Sequence, residues 1–249
     1  MKDFSSIVIT GASSGIGEAL ALDYARSGVA LALTGRDAGR LEAVAAACRA
    51  KGATVVADTV DAVDRETFAV WLTAFDDAHP IDLVIANAGI SIDKDNSSLD
   101  DFSVIRKTLD VNVGGVLNTV EPLIARLIAR KRGQIAVVAS LASFIGLPYS
   151  ASYNASKAAV RVWGESIRYV LKKHGIGVSV VCPGFVVSRM TANAPFPMPF
   201  LMTAARASAI IRRGLARNHA RIAFPIGTKA AVWFGQVLPG RWTARLLGA

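Results

Sequence analysis

The sequence predicts an α/β fold: a single Rossmann-like domain with a doubly wound parallel sheet of about seven strands and helices on both faces. Three observations lead to this fold class. Short apolar runs alternate with segments of helical pattern along most of the 249 residues. A glycine-rich turn follows the first apolar run and opens the first helix. Hydrophobic residues make up 52% and charged residues 19% of the chain, a composition that can bury a substantial core.

The first third of the chain alternates strands with helices that end at turn residues. Gly52 ends one helix, and His79-Pro80 ends another. Strands are expected at residues 4–10, 29–34, 53–57 and 81–86, and helices at residues 15–27, 38–51 and 65–78. The repetition indicates a parallel sheet, because parallel neighbours need a crossover connection.

The rest of the chain continues this pattern with longer helices. Residues 99–112 and 115–130 fit two consecutive helices or one bent helix. Further strands are expected at residues 134–139, 176–182 and 221–225, and further helices at residues 150–174 and 203–217. We therefore predict one nucleotide-binding catalytic domain over residues 1–225, followed by an apolar, basic extension over residues 226–249.

The turn after the first strand has the sequence TGASSGIG, residues 10–17. Gly11 permits a tight turn, Gly15 lets the backbone approach a pyrophosphate, and Gly17 lets the helix pack on the strand. The free N–H groups and the positive dipole at the helix N-terminus favour a phosphate. Strand, glycine turn and helix in this order predict nucleotide binding.

The end of the second strand indicates which nucleotide is bound. An acidic residue there would hold a ribose 2′-hydroxyl, whereas an arginine favours a 2′-phosphate. The chain has Gly35 and Arg36 at this point, and Asp37 is expected to be the N-cap of the next helix. We therefore favour NADP(H) over NAD(H). Arg40, one turn later, either assists or is a surface residue of that helix.

The stretch from Ser140 to Lys157 predicts acid/base chemistry. Tyr153 and Lys157 are four residues apart on a predicted helix and share a face, and Ser140 ends the preceding strand. An ammonium about 4 Å away would lower the pKa of a phenol from about 10 towards working pH. The serine hydroxyl could hydrogen-bond the oxygen that gains or loses charge. Ordinary helix faces also carry such pairs, so this one acquires weight only from the other motifs.

Asn112 lies in an otherwise apolar stretch, between Val111 and Val113. A buried asparagine must find hydrogen-bond partners. It is either a polar plug at a helix bend or a residue of the site, and the local pattern favours the plug.

Taken together, these residues resemble the short-chain dehydrogenase/reductase family. The resemblance covers about residues 4–190 and is loose beyond them. Each motif is weak by itself, but the joint match in order and spacing is specific. The matching pieces are TGASSGIG at residues 10–17, Asp61, Asn87-Ala88-Gly89, Asn112, Ser140, Tyr153 with Lys157, and Pro183-Gly184.

The resemblance implies a role for each catalytic residue. Tyr153 would donate the proton in reduction and accept it in oxidation. Lys157 would lower the pKa of Tyr153 and hold the nicotinamide ribose. Ser140 would orient the substrate carbonyl, and Asn112 would hold Lys157 through a water, which favours the site over the plug. The nicotinamide cofactor would supply the hydride.

The resemblance also implies the residues that contact the nucleotide. The family usually has threonine where this chain has Ser188, and serine keeps the hydroxyl. The implied contacts are Gly11, Ser13, Ser14, Gly15, Ile16 and Gly17 at the pyrophosphate, Arg36 at the 2′-phosphate, Asp61 and Ala62 at the adenine, Asn87, Ala88 and Gly89 at the adenine ribose, Tyr153 and Lys157 at the nicotinamide ribose, and Pro183, Gly184, Val186 and Ser188 near the carboxamide.

Composition and charge indicate which kinds of binding partner the protein has. The net charge is +9, but no dense basic patch with interleaved aromatics predicts nucleic-acid binding. Two distant cysteines and three scattered histidines predict no metal site. No secretory pattern is expected, because Asp3 and the polar Ser5-Ser6 interrupt any apolar segment near the N-terminus. No membrane span is expected, because Pro148 and several hydroxyls interrupt the longest uncharged run, residues 133–156. We expect a cytoplasmic homodimer or homotetramer, with the helices around Leu117 and Val162 as a possible interface, that binds a small carbonyl or alcohol.

Two segments of the chain have features that the family motifs do not explain. Residues 185–203 are rich in methionine, phenylalanine and proline, and they predict a lid over an apolar or mixed substrate, or else a loop packed into the core. Residues 226–249 are expected to pack on their own domain or on a second subunit. The alternatives are contact with an anionic membrane surface and a cap over the substrate site.

The sequence therefore predicts an NADP(H)-dependent oxidoreductase that transfers a hydride between nicotinamide and a carbonyl or secondary alcohol. One alternative is the same chemistry with NAD(H). The other is a non-catalytic protein on the same fold that responds to NADP(H). The presence of Asn112, Ser140, Tyr153 and Lys157 together counts against a protein without catalysis.

Overall fold

Apolar runs of four to seven residues form a seven-stranded parallel sheet. The structure is a computed structural model and describes residues 2–91, 101–147, 150–192 and 198–237. Within these residues the sheet order is β3-β2-β1-β4-β5-β6-β7. The strands are β1 Ser6–Ile9, β2 Ala30–Thr34, β3 Thr54–Asp58, β4 Leu83–Ala86, β5 Gln134–Val138, β6 Gly177–Pro183 and β7 Arg221–Phe224. The predicted Rossmann-like fold is confirmed, including its number of strands.

The helices lie in the connections between the strands and after the last strand. They are α1 Gly15–Tyr24, α2 Ala38–Ala50, α3 Arg65–Ala78, α4 Phe102–Leu109, α5 Gly115–Arg130, α6 Ala151–Lys172, α7 Ala204–Ala216 and α8 Ile226–Val237. Asp37 caps α2 as predicted, since its carboxylate accepts a hydrogen bond from Arg40 N at 2.9 Å.

The five inner strands bury both of their faces, whereas β3 and β7, at the two edges of the sheet, are partly exposed. Ile7 and Ile9 of β1 belong to one core cluster, which includes residues of α1, α2 and α7. Val8 points to the other side and belongs to a second cluster, with residues of α3, α5 and α6. This alternation follows from the two-residue period of a strand. It places α1, which follows the glycine turn, on one face of the sheet and α6, which carries Tyr153 and Lys157, on the other.

Of the two alternatives expected for residues 99–130, the described residues show one bent helical element. α4 continues into a five-residue π-helical turn, Asp110–Gly114, and then into α5. Asn112 lies within this turn. A π-turn adds one residue to the helical repeat, so it rotates the side chains that follow it. The alternative of one bent helix is therefore the correct one, and the expected start at Leu99 lies outside the described residues.

The order of the strands reverses between β1 and β4, which are neighbours in the sheet but not in sequence. In open parallel sheets a crevice forms at such a point, at the carboxyl ends of the strands. The turns after β1, β4, β5 and β6 all open towards this edge. They contain most of the residues predicted to bind the nucleotide or to act on the substrate.

No helix among the described residues is long and apolar enough to cross a membrane. α8 starts directly after β7, and its Val232 packs against the second core cluster. The predicted extension beyond Val237 and the phenylalanine at position 196 of the predicted lid lie outside the described residues.

Candidate active site

The glycine turn after β1 is closely packed against the turn after β4. Gly11 has φ +67° and Gly15 has φ +61°, in the left-handed region that favours glycine. A Cβ on Gly11 would lie 2.9 Å from the Cα of Ala88. A Cβ on Gly17 would overlap the carbonyl oxygen of Gly11. Any side chain at these positions would separate the two turns.

Hydrogen bonds hold the same two turns together. Thr10 Oγ1 accepts from the backbone N–H groups of Asn87 and Ala88, both at 3.0 Å. Asn87 Nδ2 donates to the carbonyls of Thr10 at 2.9 Å and Gly11 at 3.2 Å. Asn87 and Ala88, predicted to contact the adenine ribose, therefore also build the floor of the glycine turn.

The N-terminus of α1 is free to receive an anion. Ser14 is the N-cap residue, yet its side chain makes no capping hydrogen bond to the helix. The first N–H groups of a helix have no acceptor within it, and here they belong to Gly15, Ile16 and Gly17. Ser13, one residue earlier, is half-buried beside Gly35. Unpaired N–H groups, a helix dipole and room for backbone approach fit the pyrophosphate of a dinucleotide.

The end of β2 presents one cation that no neighbour neutralises. Arg36 is exposed and makes no hydrogen bond or ion pair within the described residues. Asp37 is occupied as the cap of α2 and pairs with Arg40, whose Nη1 lies 2.6 Å from its Oδ2. A Cβ on Gly35 would lie 2.8 Å from Ser13 Oγ, so Arg36 is next in sequence to a residue that packs against the glycine turn.

The residues predicted at the adenine follow β3. Asp61 is exposed, and its Oδ1 accepts from Val63 N at 3.0 Å. Ala62 is buried, and its carbonyl accepts from Asn118 Nδ2 of α5 at 2.8 Å. The loop is thus tied to α5, at the same edge of the sheet as the glycine turn.

Lys157 is the most buried cation of the described site. It is 3% exposed, and its Nζ donates to the carbonyl of Val138, at the end of β5, at 2.8 Å. Burial lowers the pKa of Lys157 from its usual 10.5 to about 8, because the charged form loses its hydration. The side chain is therefore still an ammonium at neutral pH.

Tyr153 lies beside this ammonium, and Ser140 follows β5, whose last residue accepts the Lys157 hydrogen bond. Lys157 Nζ lies 5.9 Å from the ring centroid of Tyr153, one turn earlier on α6. Ser140 is 9% exposed, and its Oγ accepts from Ala142 N at 3.1 Å. The Ser140 hydroxyl also donates to the carbonyl of Pro183, but at 3.4 Å. Such a long hydrogen bond is weak, so the proton can turn to a stronger acceptor.

Asn112 joins the turn after β4 to α6. Its Oδ1 accepts from Ile90 N at 2.7 Å, and its Nδ2 donates to the Ile90 carbonyl at 2.9 Å. Nδ2 also donates to Ser156 Oγ at 3.0 Å. A Cβ on Gly89 would lie 3.1 Å from Asn112 Oδ1 and 3.2 Å from Lys157 Nζ. The side chains of Asn112 and Lys157 therefore both approach Gly89, near the bend of the helix.

The segment after β6 closes the other side of the crevice. Gly184 N donates to the carbonyl of Phe224 at 2.7 Å, which fixes the end of β6 beside β7. A Cβ on Gly15 would lie 3.0 Å from Ser188 Cβ, so this segment contacts the glycine turn. Thr191 Oγ1 holds the segment, accepting from Ser188 N at 3.0 Å and donating to the carbonyl of Val186 at 2.9 Å.

Sequence reasoning missed several residues that shape the site. Ser156 is fully buried and donates to the carbonyl of Tyr153 at 2.7 Å while it accepts from Asn112. Gly164 lies two turns beyond Lys157, and a Cβ there would lie 2.5 Å from Val137 Cγ2 and 2.9 Å from Val180 Cγ2. It therefore brings α6 close to β5 and β6. Only the position of Ser156 between Tyr153 and Lys157 could have drawn attention to it.

The described residues contain no group of three or more histidine, cysteine, aspartate or glutamate side chains that could hold a metal ion. Burial raises the pKa of the Cys182 thiol to about 12, so this neighbour of Lys157 stays neutral.

Comparison with known proteins places the chain in a family. Residues 5–196 match the model of the family described as short chain dehydrogenase. An "Uncharacterized oxidoreductase" of Myxococcus xanthus is 36% identical over 237 residues, 95% of this chain and 93% of that protein. The alignment thus spans nearly the whole of both proteins.

Solved structures share the fold. A short-chain dehydrogenase from Sphingobium yanoikuyae in complex with NADPH has a TM-score of 0.81 and 24% identity, covering 97% of this chain and 92% of that one. A short chain dehydrogenase from Mycobacterium paratuberculosis bound to NAD has a TM-score of 0.80 and 24% identity, covering 91% of this chain and 98% of that one.

The fold and the family match define a Rossmann-type, nucleotide-binding oxidoreductase. The chain belongs to the short-chain dehydrogenase/reductase family. The predicted family membership is confirmed.

Proposed function

We propose that the protein is an NADP(H)-dependent oxidoreductase that acts on a carbonyl or secondary alcohol, with Tyr153 as the acid/base. The observation that carries this proposal is the buried Lys157 ammonium, which lies beside the ring of Tyr153 and, like Asn112, approaches Gly89. Burying a charge is costly, and fold stability gains little from it. A buried ammonium next to a phenol in a nucleotide crevice is a perturbed group of the kind found at functional sites.

When bound, the nicotinamide nucleotide supplies or accepts the hydride. In reduction, Tyr153 gives its phenolic proton to the substrate oxygen, and the Lys157 ammonium stabilises the phenolate that remains. The Ser140 hydroxyl turns from its weak bond with Pro183 and donates to the same substrate oxygen. Ser156 and Asn112 fix the backbone around Tyr153 and Ile90, so these groups keep their positions.

The preference for NADP(H) rests on Arg36. It is exposed and unpaired within the described residues, and Asp37, the nearest carboxylate in sequence, is occupied by α2 and Arg40. An unpaired guanidinium suits a 2′-phosphate, which offers several oxygens to one planar donor group. A carboxylate engaged as a helix cap is poorly placed to hold a 2′-hydroxyl.

Reduction is the proposed direction, in keeping with an NADPH-dependent enzyme, and the cytoplasmic location stays a prediction. We also propose a homodimer or homotetramer, built on α5 and α6. Leu117 is 38% exposed on α5, and Val162, Tyr169 and Val170 are 51%, 76% and 60% exposed on α6. Exposed apolar side chains on two long helices suit a helical interface.

The test is NADPH oxidation across ketones, ketoacyl thioesters, ketosugars and quinones. Tyr153→Phe should abolish turnover on the accepted class while leaving NADPH binding intact. Tyr169→Phe is the matched control, because Tyr169 lies on the same helix 16 residues beyond Tyr153, and the substitution keeps the apolar ring that the proposed interface would use. Equal turnover in wild type and Tyr153→Phe would refute the acid/base role. Intact NADPH binding with no turnover on any class would favour the non-catalytic protein.

A further inference from the structure

The charges of this protein are divided unevenly along the chain. All 19 acidic residues lie at or before Glu165, together with 16 of the 28 lysines and arginines. Residues 1–165 therefore carry a net charge of −3, and residues 166–249 carry +12. The net charge of +9 thus belongs to the last third of the chain, which contains the predicted lid and α8.

The same part of the chain exposes apolar side chains beside the candidate site. Phe200 is 62% exposed and Ile226, the first residue of α8, is 84% exposed. Phe200 has a positive φ of 59°, which is unusual for a residue other than glycine. We call the following exposed residues the tip surface: Val187, Met190, Phe200, Leu201 and Ile226.

Contacts join the segments that carry most of the tip surface. Val187 N donates to the carbonyl of Met202 at 2.9 Å, and Met202 N donates to the carbonyl of Phe185 at 3.1 Å. These hydrogen bonds join the two ends of the predicted lid, residues 185–203, to each other. A Cβ on Gly227 would lie 2.7 Å from Phe200 Cζ, so α8 begins against the Phe200 ring. The exposed apolar residues are therefore held on a defined scaffold.

Exposed cations accompany the tip surface. Arg189 lies in the lid, Lys229 lies one turn into α8, and Arg206 lies in the first turn of α7, which follows the lid. The segments that form the tip surface contain no aspartate or glutamate. Apolar side chains with cations and without carboxylates match the interface of a bilayer that contains anionic lipids.

We propose that the tip surface docks on an anionic membrane, with its apolar side chains among the acyl chains and its cations at the head groups. Ser188, which packs against the glycine turn, lies between Val187 and Arg189. Docking would therefore turn the mouth of the candidate site towards the bilayer. An apolar carbonyl compound dissolved in the lipid could then reach the site without crossing water. The binding step itself does not depend on catalysis or on the choice of nucleotide.

The test is co-sedimentation of the full chain with vesicles of phosphatidylcholine alone or of phosphatidylcholine with phosphatidylserine. We expect binding to the anionic vesicles that weakens with salt. Phe200→Ser should lower the partition coefficient about tenfold, since the insertion of one large apolar side chain is lost. Phe102→Ser is its matched control, because Phe102 is 75% exposed on α4, outside the tip surface.

A second pair of variants tests the charge. Lys229→Glu should weaken binding, whereas Lys173→Glu should have little effect. Both substitutions change the net charge equally, but Lys173 follows α6 at the opposite end of the sheet from the lid. Ile226→Ser replaces Phe200→Ser if circular dichroism shows that the latter does not fold.

Three results would overturn the proposal. The first is that the wild-type protein binds neither kind of vesicle. The second is that the tip variants and their controls bind equally well, because binding would then reflect only the general charge of the protein. A change in oligomeric state by Phe200→Ser, measured by sedimentation equilibrium, would instead make a second copy of the chain the occupant. Because no assay here uses substrate, these results are independent of whether the protein is a reductase.

Discussion

The guanidinium of Arg161 lies over the ring of Phe144, with its Cζ 4.3 Å from the ring centroid. Arg221 of β7 also approaches this ring, at 5.1 Å. Glu165 holds both arginines, since it accepts from Arg161 Nη1 at 3.2 Å and from Arg221 Nε at 2.9 Å. Phe144 ends the short helix that begins after Ser140. The cluster therefore fastens the turn of the candidate catalytic serine to the helix of Tyr153.

We expect Phe144 to be a positioning residue. Phe144→Leu should lower kcat about tenfold, because it removes two cation–π contacts and loosens the turn that carries Ser140. The KM for NADPH should stay unchanged, since the proposed nucleotide contacts lie elsewhere. Phe144→Tyr, which keeps the aromatic face, should restore most of kcat. The exposed Phe102→Leu serves as control, and an equal loss in kcat for it would contradict this role.

Arg36 should set the choice of nucleotide. Arg36→Ala should weaken NADPH binding by about tenfold to a hundredfold, which corresponds to the loss of one or two charge-assisted hydrogen bonds, and should leave NADH binding nearly unchanged. Fluorescence titration of both nucleotides measures this. Arg40→Ala is the comparison, because Arg40 is already paired with Asp37. Tighter binding of NADH than of NADPH by the wild-type protein would show that the preference for NADP(H) is wrong.

The pH dependence of reduction should report Lys157. Burial lowers the pKa of its ammonium to about 8, so the charge is present below that pH and lost above it. We therefore expect kcat/KM for reduction to fall as the pH rises through about 8. A pH–rate profile at saturating NADPH tests this. If kcat/KM stayed constant up to pH 10, the positive charge of Lys157 would not be needed for catalysis.

Replacing Lys157 should stabilise the protein while removing its activity. The pKa of this lysine is lower in the folded chain, about 8, than the 10.5 of an unfolded chain. The folded state thus binds its proton less well, and below pH 8 this costs about 3 kcal/mol, a cost that disappears as the pH approaches 10.5. Lys157→Met should raise the free energy of unfolding at pH 7 by about 1–3 kcal/mol.

Urea unfolding of the protein without nucleotide, at pH 7 and near pH 10, measures this change. The exposed Lys173→Met should alter stability little at either pH. If Lys157→Met were less stable than wild type at pH 7, the Val138 hydrogen bond would outweigh the cost of burying the charge.

Local patterns predicted the fold well because the inner strands of the parallel sheet are buried on both faces and appear as apolar runs. The cap at Asp37 and the positive φ of Gly11 and Gly15 are also local, so sequence reasoning could find them. The π-turn around Asn112 was not predictable in detail, because it is compatible with the same apolar period as a bent helix.

Contacts between distant elements were beyond sequence reasoning. The bond from Asn112 to Ser156 joins residues 44 apart, and the two arginines at Phe144 come from α6 and β7. Nothing in a serine between Tyr153 and Lys157 shows whether it faces solvent or the interior. Such pairings depend on how the helices pack on the sheet, which local propensity does not determine.

A lysine side chain has a fixed length, so the depth at which α6 can place an ammonium depends on the distance between the helix axis and the sheet. Gly164 sets that distance from two turns away, since it lets the helix rest on Val137 and Val180. The absence of a side chain at Gly164 thus influences the affinity of Lys157 for its proton. In this molecule a residue with no side chain and no charge determines how deeply an acid–base group is buried.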